Sequence, residues 1–224
     1  MECTPGLDKA LFCVYNKQHK LRNDSCYHRR NIMPPKFLFT RDEIIAAALN
    51  ITRRAGPSAL TARALAAELG CSVKPIFGLY RNMEEVQQAV QTAAYARYQQ
   101  TLAAGMASGK YPPYKASGMA YIQFAREEKE LFKLIFMCDR GGESSGEDRE
   151  SIRPLLELIQ RNLGISEDEA YLFHLEMWLY VHGIATMLAT SYLDWDESFV
   201  SSALTDAYAG LKHRFMEERN NACN

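Results

Sequence analysis

Three times this chain sets a small polar residue three positions ahead of a glutamate, at the head of an apolar helical pattern. The sites are Thr40 with Glu43, Asn82 with Glu85, and Ser166 with Glu169. Such capping boxes satisfy the orphan amides of a helix start, so each marks where a helix begins. The stops are equally local, with Gly56-Pro57, Gly70 and Gly164 each following a helical stretch. No segment shows the period-2 alternation of a half-buried strand. The pattern predicts an all-α chain without internal repeats.

The first helix runs from Thr40 toward Arg53 and Arg54, with Ile44, Ala47, Ala48 and Ile51 on one apolar face. A second spans Thr61 to Leu69, with Ala64, Leu65 and Leu69 inward and Ala66 and Ala67 allowing a close neighbour. Ser72 is placed to cap a third, short helix with Pro75 in its first turn. A fourth starts at Asn82 and fades near Gly105–Gly109, before Pro112-Pro113. Longer helices are expected over about 114–128, 129–138, 151–163, 167–191 and 198–217, with 141–148 (GGESSGED) a solvated loop.

Two short helices joined at Gly70-Cys71-Ser72 form a helix-turn-helix pattern. Ile76 and Leu79 hold the second helix on the core, leaving Val73, Lys74, Phe77 and Gly78 on its outer face, where a major groove fits. The same pattern also fits an ordinary αα-corner in a bundle.

Net charge at first argues against a nucleic-acid partner, with 26 Lys+Arg against 27 Asp+Glu. Residues 1–85, however, hold 13 basic and 8 acidic side chains, a net of +5, and residues 86–224 hold 13 and 19, a net of −6. Four of the front charges precede Phe37, in a stretch (1–36) that reads as a flexible basic arm. A start at Met33 would instead give 192 residues and make the first 32 an extension of little consequence. With 47% hydrophobic residues wholesale disorder is excluded, and no apolar run is long enough to span a bilayer. The six cysteines are scattered, which fits reduced thiols in a cytoplasm. Cys13, His19, Cys26 and His28 could ligate a metal, but their spacing matches no common zinc pattern, and the expectation is no metal and no cofactor. No GxSxG, GxxxxGK[ST] or HExxH occurs, so no catalytic residue is assigned.

Residues Thr40 to Val86 (TRDEIIAAALNITRRAG, then SALTARALAAELGCSVKPIFGLYRNMEEV) resemble the TetR family of bacterial transcriptional repressors. Trp178, His182 and Gly183, a W-x-x-x-H-G, resemble the signature of one group of TetR-type ligand-binding domains, and 119–137 is similar to that group's helix pair. The resemblance implies three domains or segments: the arm (1–36), a three-helix DNA-binding domain (37–85) and a larger ligand-binding and dimerisation domain (86–224). It implies that Thr61 meets a phosphate with its hydroxyl, that Arg63 reaches a base edge or phosphate, and that Ser72, Val73, Lys74 and Pro75 face the major groove. Phe77 stands where the family usually has tyrosine, Leu79 where it has histidine, and Met83 where it has lysine. These departures remove backbone contacts, which Arg81 and, to a lesser extent, the arm would restore.

A helix-turn-helix reads a half-site, so the expected partner is a palindromic double-stranded operator bound by a homodimer. Leu193, Trp195, Phe199, Leu204, Tyr208, Leu211 and Phe215 offer apolar surface for the interface, some of it buried in the chain itself. Tyr121, Phe124, Phe136, Met137, Trp178, His182 and Met187 are the candidates to enclose a small apolar or aromatic effector. Aromatics at this spacing also serve as plain core, and His182 also fits a satisfied core histidine. The expected function is a ligand-released, DNA-binding repressor without enzymatic activity. The alternative is an all-α ligand-binding or interaction protein that has lost specific DNA binding.

Overall fold

The computed structural model describes residues 38–138 and 149–222, all of whose regular structure is helical. The order is α1 (Arg41–Ala55), α2 (Ala62–Glu68), α3 (Lys74–Leu79), α4 (Met83–Ala107), α5 (Pro113–Glu127), α6 (Lys129–Phe136), α7 (Arg153–Leu163), α8 (Glu167–Ala189) and α9 (Glu197–Ala222), with one 3-10 turn at Pro57–Ala59. The expected arm, the Gly141–Asp148 loop and the Cys13, His19, Cys26, His28 cluster lie outside the described residues. No described helix is long and apolar enough to cross a membrane, and no metal-binding cluster occurs among the described residues.

The caps explain the starts. Thr40 accepts from the Glu43 amide while the Glu43 carboxylate accepts from the Thr40 amide at 2.7 Å; Ser166 and Glu169 repeat the exchange on α8. At α4 only half of the box forms. Asn82 Oδ1 accepts from the Glu85 amide at 2.9 Å, but the Glu85 carboxylate turns to the Arg81 amide at 2.8 Å. Ser72 does not cap α3, which starts behind Val73 with no side-chain cap, although Pro75 does sit in the first turn. Ala67 is exposed, so only Ala66 of that pair lies in the core.

Ile44, Ala48 and Ile51 of α1 close with Leu65, Ala66, Ile76 and Tyr80 into a front core. Val86 and Val90 of α4 belong to the same core, so α4 runs unbroken through residue 85, where the sequence placed a domain boundary. Further back α4 crosses α5 so closely that a Cβ on Gly105 would stand 2.7 Å from the Cβ of Ala120. Phe124, Leu131, Phe132, Ala185, Leu188 and Leu204 fill the middle core, and Ile159, Phe173 and Phe215 a third.

Where the front and middle cores adjoin, Leu49 and Leu134 pack on both, and a buried carboxylate lies beside them. Glu128, between α5 and α6, is 7% exposed. It accepts from Arg53 Nε at 2.6 Å and Arg53 Nη2 at 2.7 Å, and from Arg97 Nε at 2.7 Å. A bidentate guanidinium fork plus a third charge-assisted bond is the arrangement that compensates the desolvation of such a group. Beside it, Gly56 has φ 80°, and Glu130 Oε2 lies 2.9 Å from where a Cβ would stand. Removing the carboxylate would leave two guanidiniums facing each other across a half-dry junction. Glu128→Ala is expected to lower stability by about 2 kcal/mol, read as a fall in the urea midpoint; an unchanged midpoint would show that the triad is dispensable.

Candidate functional site

The front domain positions α3 by holding one side of it. Ile76 is fully buried and Leu79 packs on the front core, while Ser72, Val73, Lys74, Phe77 and Gly78 are exposed. Pro75 is half-buried. The helix is only six residues long, too short to persist by itself, and its carboxyl end is fixed from α1. Arg41 Nη2 donates to the Leu79 carbonyl at 2.5 Å, and its guanidinium lies 4.6 Å from the centre of the Tyr80 ring. Burial raises the Tyr80 phenol above its ordinary range, which keeps it a neutral hydroxyl.

Thr61 caps α2 by accepting from the Ala64 amide at 3.1 Å, which leaves its hydroxyl proton free to donate outward. Arg63 is exposed on α2. Arg81 has 89% of its side chain exposed and a long 3.4 Å contact to Glu85. Thr61, Arg63, Ser72, Val73, Lys74, Phe77 and Arg81 are therefore all accessible, whereas Leu79 and Met83 lean on the core. Neither Arg41 nor Tyr80 stood out in the sequence; only the fold brings Arg41 to residues 38 and 39 positions away.

In the rear domain, Tyr121, Phe136, Trp178 and His182 come together. The Tyr121 hydroxyl and His182 Nδ1 are 2.9 Å apart, Trp178 stacks on His182 at 4.8 Å and 17°, and Tyr121 meets Phe136 at 4.9 Å and Phe132 at 5.4 Å. Phe124 is fully buried and joins through Tyr98 at 5.5 Å. Met137 and Met187 are exposed. A polar surface cleft lies elsewhere, lined by Asn50, Arg53, Arg54, Glu127 and Glu128.

Of the residues expected at an interface, Leu204 and Phe215 are buried in the chain's own core, Tyr208 and Leu211 pack on the third core, and Trp195 on the middle one. Leu193 and Phe199 remain exposed. On α8, Leu172, Leu179 and Tyr180 are exposed as well. A Cβ on Gly183 or Gly210 would meet nothing within 4 Å among the described residues, so Gly183 does not serve a close crossing there.

Residues 114–207 match the family model described as a tetracyclin repressor-like C-terminal domain. Over these residues the chain is similar to the C-terminal domain of the TetR family. Solved structures share this TetR fold at low identity. A TetR-like transcriptional regulator from Rhodococcus sp. RHA1 superposes with TM-score 0.55 at 16% identity, over 79% of this chain and 96% of that one. A second regulatory protein gives 0.57 at 20% identity, over 75% and 95%. A TetR variant from Acinetobacter baumannii AYE, solved in complex with minocycline, gives 0.51 at 16%, over 81% and 98%. No curated protein matches the chain in sequence. The helix-turn-helix geometry was legible because caps and turns are local, and the match to the rear residues begins at Tyr114, where α5 has just started.

The α3–α4 junction carries a pH signature. Bonding to the Arg81 amide holds the Glu85 carboxyl below its ordinary range. A carboxyl that is more acidic when folded stabilises fully above its unfolded value, about 4.3, and loses that contribution as pH falls through the folded value. Glu85→Gln cannot titrate. The gap between its urea midpoint and that of the parent is expected to narrow from pH 6 to pH 3; a constant gap would contradict the assignment.

Proposed function

We propose that this chain is a TetR-type transcriptional regulator that binds a palindromic operator as a homodimer and is released by a small apolar or aromatic effector held in the rear domain. The observation that carries the DNA-binding half is the asymmetry of α3, anchored on Ile76 and Leu79 and open on Val73, Lys74 and Phe77. Val73 and Phe77 are 38% and 42% exposed, unusual for apolar side chains unless they meet a partner. In a major groove they can lie against thymine methyls while Lys74 donates to guanine. Thr61 and Ser72 supply hydroxyls, Pro75 keeps the first turn closed, and Arg63 and Arg81 meet phosphate on either side.

The exposed face formed by Leu172, Leu179, Tyr180, Phe199 and the two uncovered glycines supports dimerisation through α8 and α9. Two α3 helices about 34 Å apart would then read successive major grooves. The effector, seated against Tyr121, Phe136, Trp178 and His182 with Phe124 behind them, favours a spacing that no longer fits. Glu128 is the junction through which movement of α6 reaches α1. No step of this reading needs catalysis.

Mobility shift and footprinting on the DNA flanking the protein's own gene test it. Protection of a palindrome is expected, with affinity falling steeply as salt rises. Lys74→Ala should relax base preference and cost about 1–3 kcal/mol. Arg81→Ala should weaken all sequences alike and reduce the salt slope by about one. Absence of protection at low salt with the fold intact would favour a ligand-binding protein that has lost DNA recognition. For the interface, Leu179→Glu should convert a sedimenting dimer to monomer without lowering helicity; a persistent dimer would move the interface elsewhere.

A further inference from the structure

Trp178, His182 and Thr186 follow one another at intervals of four along α8, on a single stripe. The stripe begins one turn earlier at His174, whose Nδ1 is 3.1 Å from the Tyr114 hydroxyl, and His182 is matched to Tyr121 in the same way. Alternate members of the stripe are therefore satisfied from α5. The others are not. Trp178 Nε1 and Thr186 Oγ1 are both sealed from solvent and have no hydrogen-bond partner among the described residues. Folding normally avoids leaving a buried donor unmatched, because it surrenders water and receives nothing in return. Two such atoms, one turn on either side of the same histidine, form a pattern.

The chemistry of the stripe selects what would complete it. An indole N–H only donates, and a threonine hydroxyl can donate as well, so the missing partner carries acceptor oxygens. The rings around the stripe are aromatic: Trp178 lies flat on His182 at 17°, with Phe132 at 5.9 Å from the histidine ring and Phe136 beside Tyr121. Ring faces in this arrangement suit a flat aromatic body. Positions four apart rise about 6 Å along a helix, so the two donors address points roughly 12 Å apart along the axis, or one point each in two orientations of a smaller molecule.

We propose that Trp178 Nε1 and Thr186 Oγ1 are the polar contacts of the effector site, and that they select flat bicyclic or polycyclic aromatics bearing carbonyl-type acceptor oxygens over hydrocarbons of the same shape. The proposal rests on the reading of the rear domain as an effector site and adds to it the class of molecule and the two groups that discriminate. A site that presents buried donors rejects the analogue that leaves them unmatched far more strongly than an apolar wall can.

The test pairs coumarin, a bicyclic lactone, with naphthalene, which matches its outline and has no acceptor. Dissociation constants are measured by equilibrium dialysis on the full chain. Coumarin is expected to bind at least tenfold more tightly. Trp178→Phe and Thr186→Val should each shrink that preference and leave naphthalene unchanged. Thr186→Val carries a second signature: without ligand it should melt higher, by about 2 °C, because an unmatched hydroxyl has become a methyl of the same shape. Equal affinity for the two probes, binding of neither up to their solubility, or a lower melting point for Thr186→Val would each overturn the proposal. So would a changed monomer–dimer equilibrium in both variants with probe affinities untouched, which would assign the two atoms to the interface between copies. A coumarin preference that persists while DNA protection is absent would retain the site and remove the operator-binding reading, so the two failures are distinguishable.

Discussion

One buried carboxylate ties four helices of the molecule together. Glu128 sits where α5 gives way to α6 and takes a two-pronged bond from Arg53 at the end of α1 and a third from Arg97 in the middle of α4. The bend between α5 and α6, the exit of α1 and the path of α4 are thus tied at one point. Ion pairs at a protein surface contribute little because water competes. This one is different because the acid is almost fully enclosed, and its bonds are needed to offset the loss of hydration. The arrangement also explains the chain's break at Gly56, where Glu130 crowds against a backbone that only glycine adopts easily.

Helices and their ends were legible in the sequence because they are decided within four residues. Thr40, Thr61, Asn82 and Ser166 all cap as their neighbours require, and Gly70 and Gly164 adopt the left-handed turn. Where the reading failed, a competing neighbour intervened. Glu85 had two backbone amides within reach and took that of Arg81 rather than that of Asn82. Periodicity identified an apolar face on α9, yet could not say which of its residues met the protomer's own core; Leu204 and Phe215 did, and Phe199 did not.

The candidate sites divide along the same line. The outer face of α3 was readable because a short amphipathic helix has only two sides. The Arg41 contact with Leu79, the Arg53 fork on Glu128 and the Tyr121 contact with His182 join residues 38, 75 and 61 positions apart. Nothing in local pattern encodes such pairings. The stripe on α8 shows the intermediate case: Trp178 and His182 were visible as a spaced motif, while Thr186 looked like any helical threonine until the absence of a partner set it apart.

The brevity of α3 has an evolutionary consequence. Every interaction that shapes it, from Ile76 in the core to the Arg41 grip on the Leu79 carbonyl, approaches from the inner side. The residues turned outward contribute almost nothing to its folding. Val73, Lys74 and Phe77 can therefore be exchanged with little effect on the stability of the domain, and under the proposed function descendants of this chain can acquire new recognition preferences by drift at three positions while the scaffold beneath them stays the same.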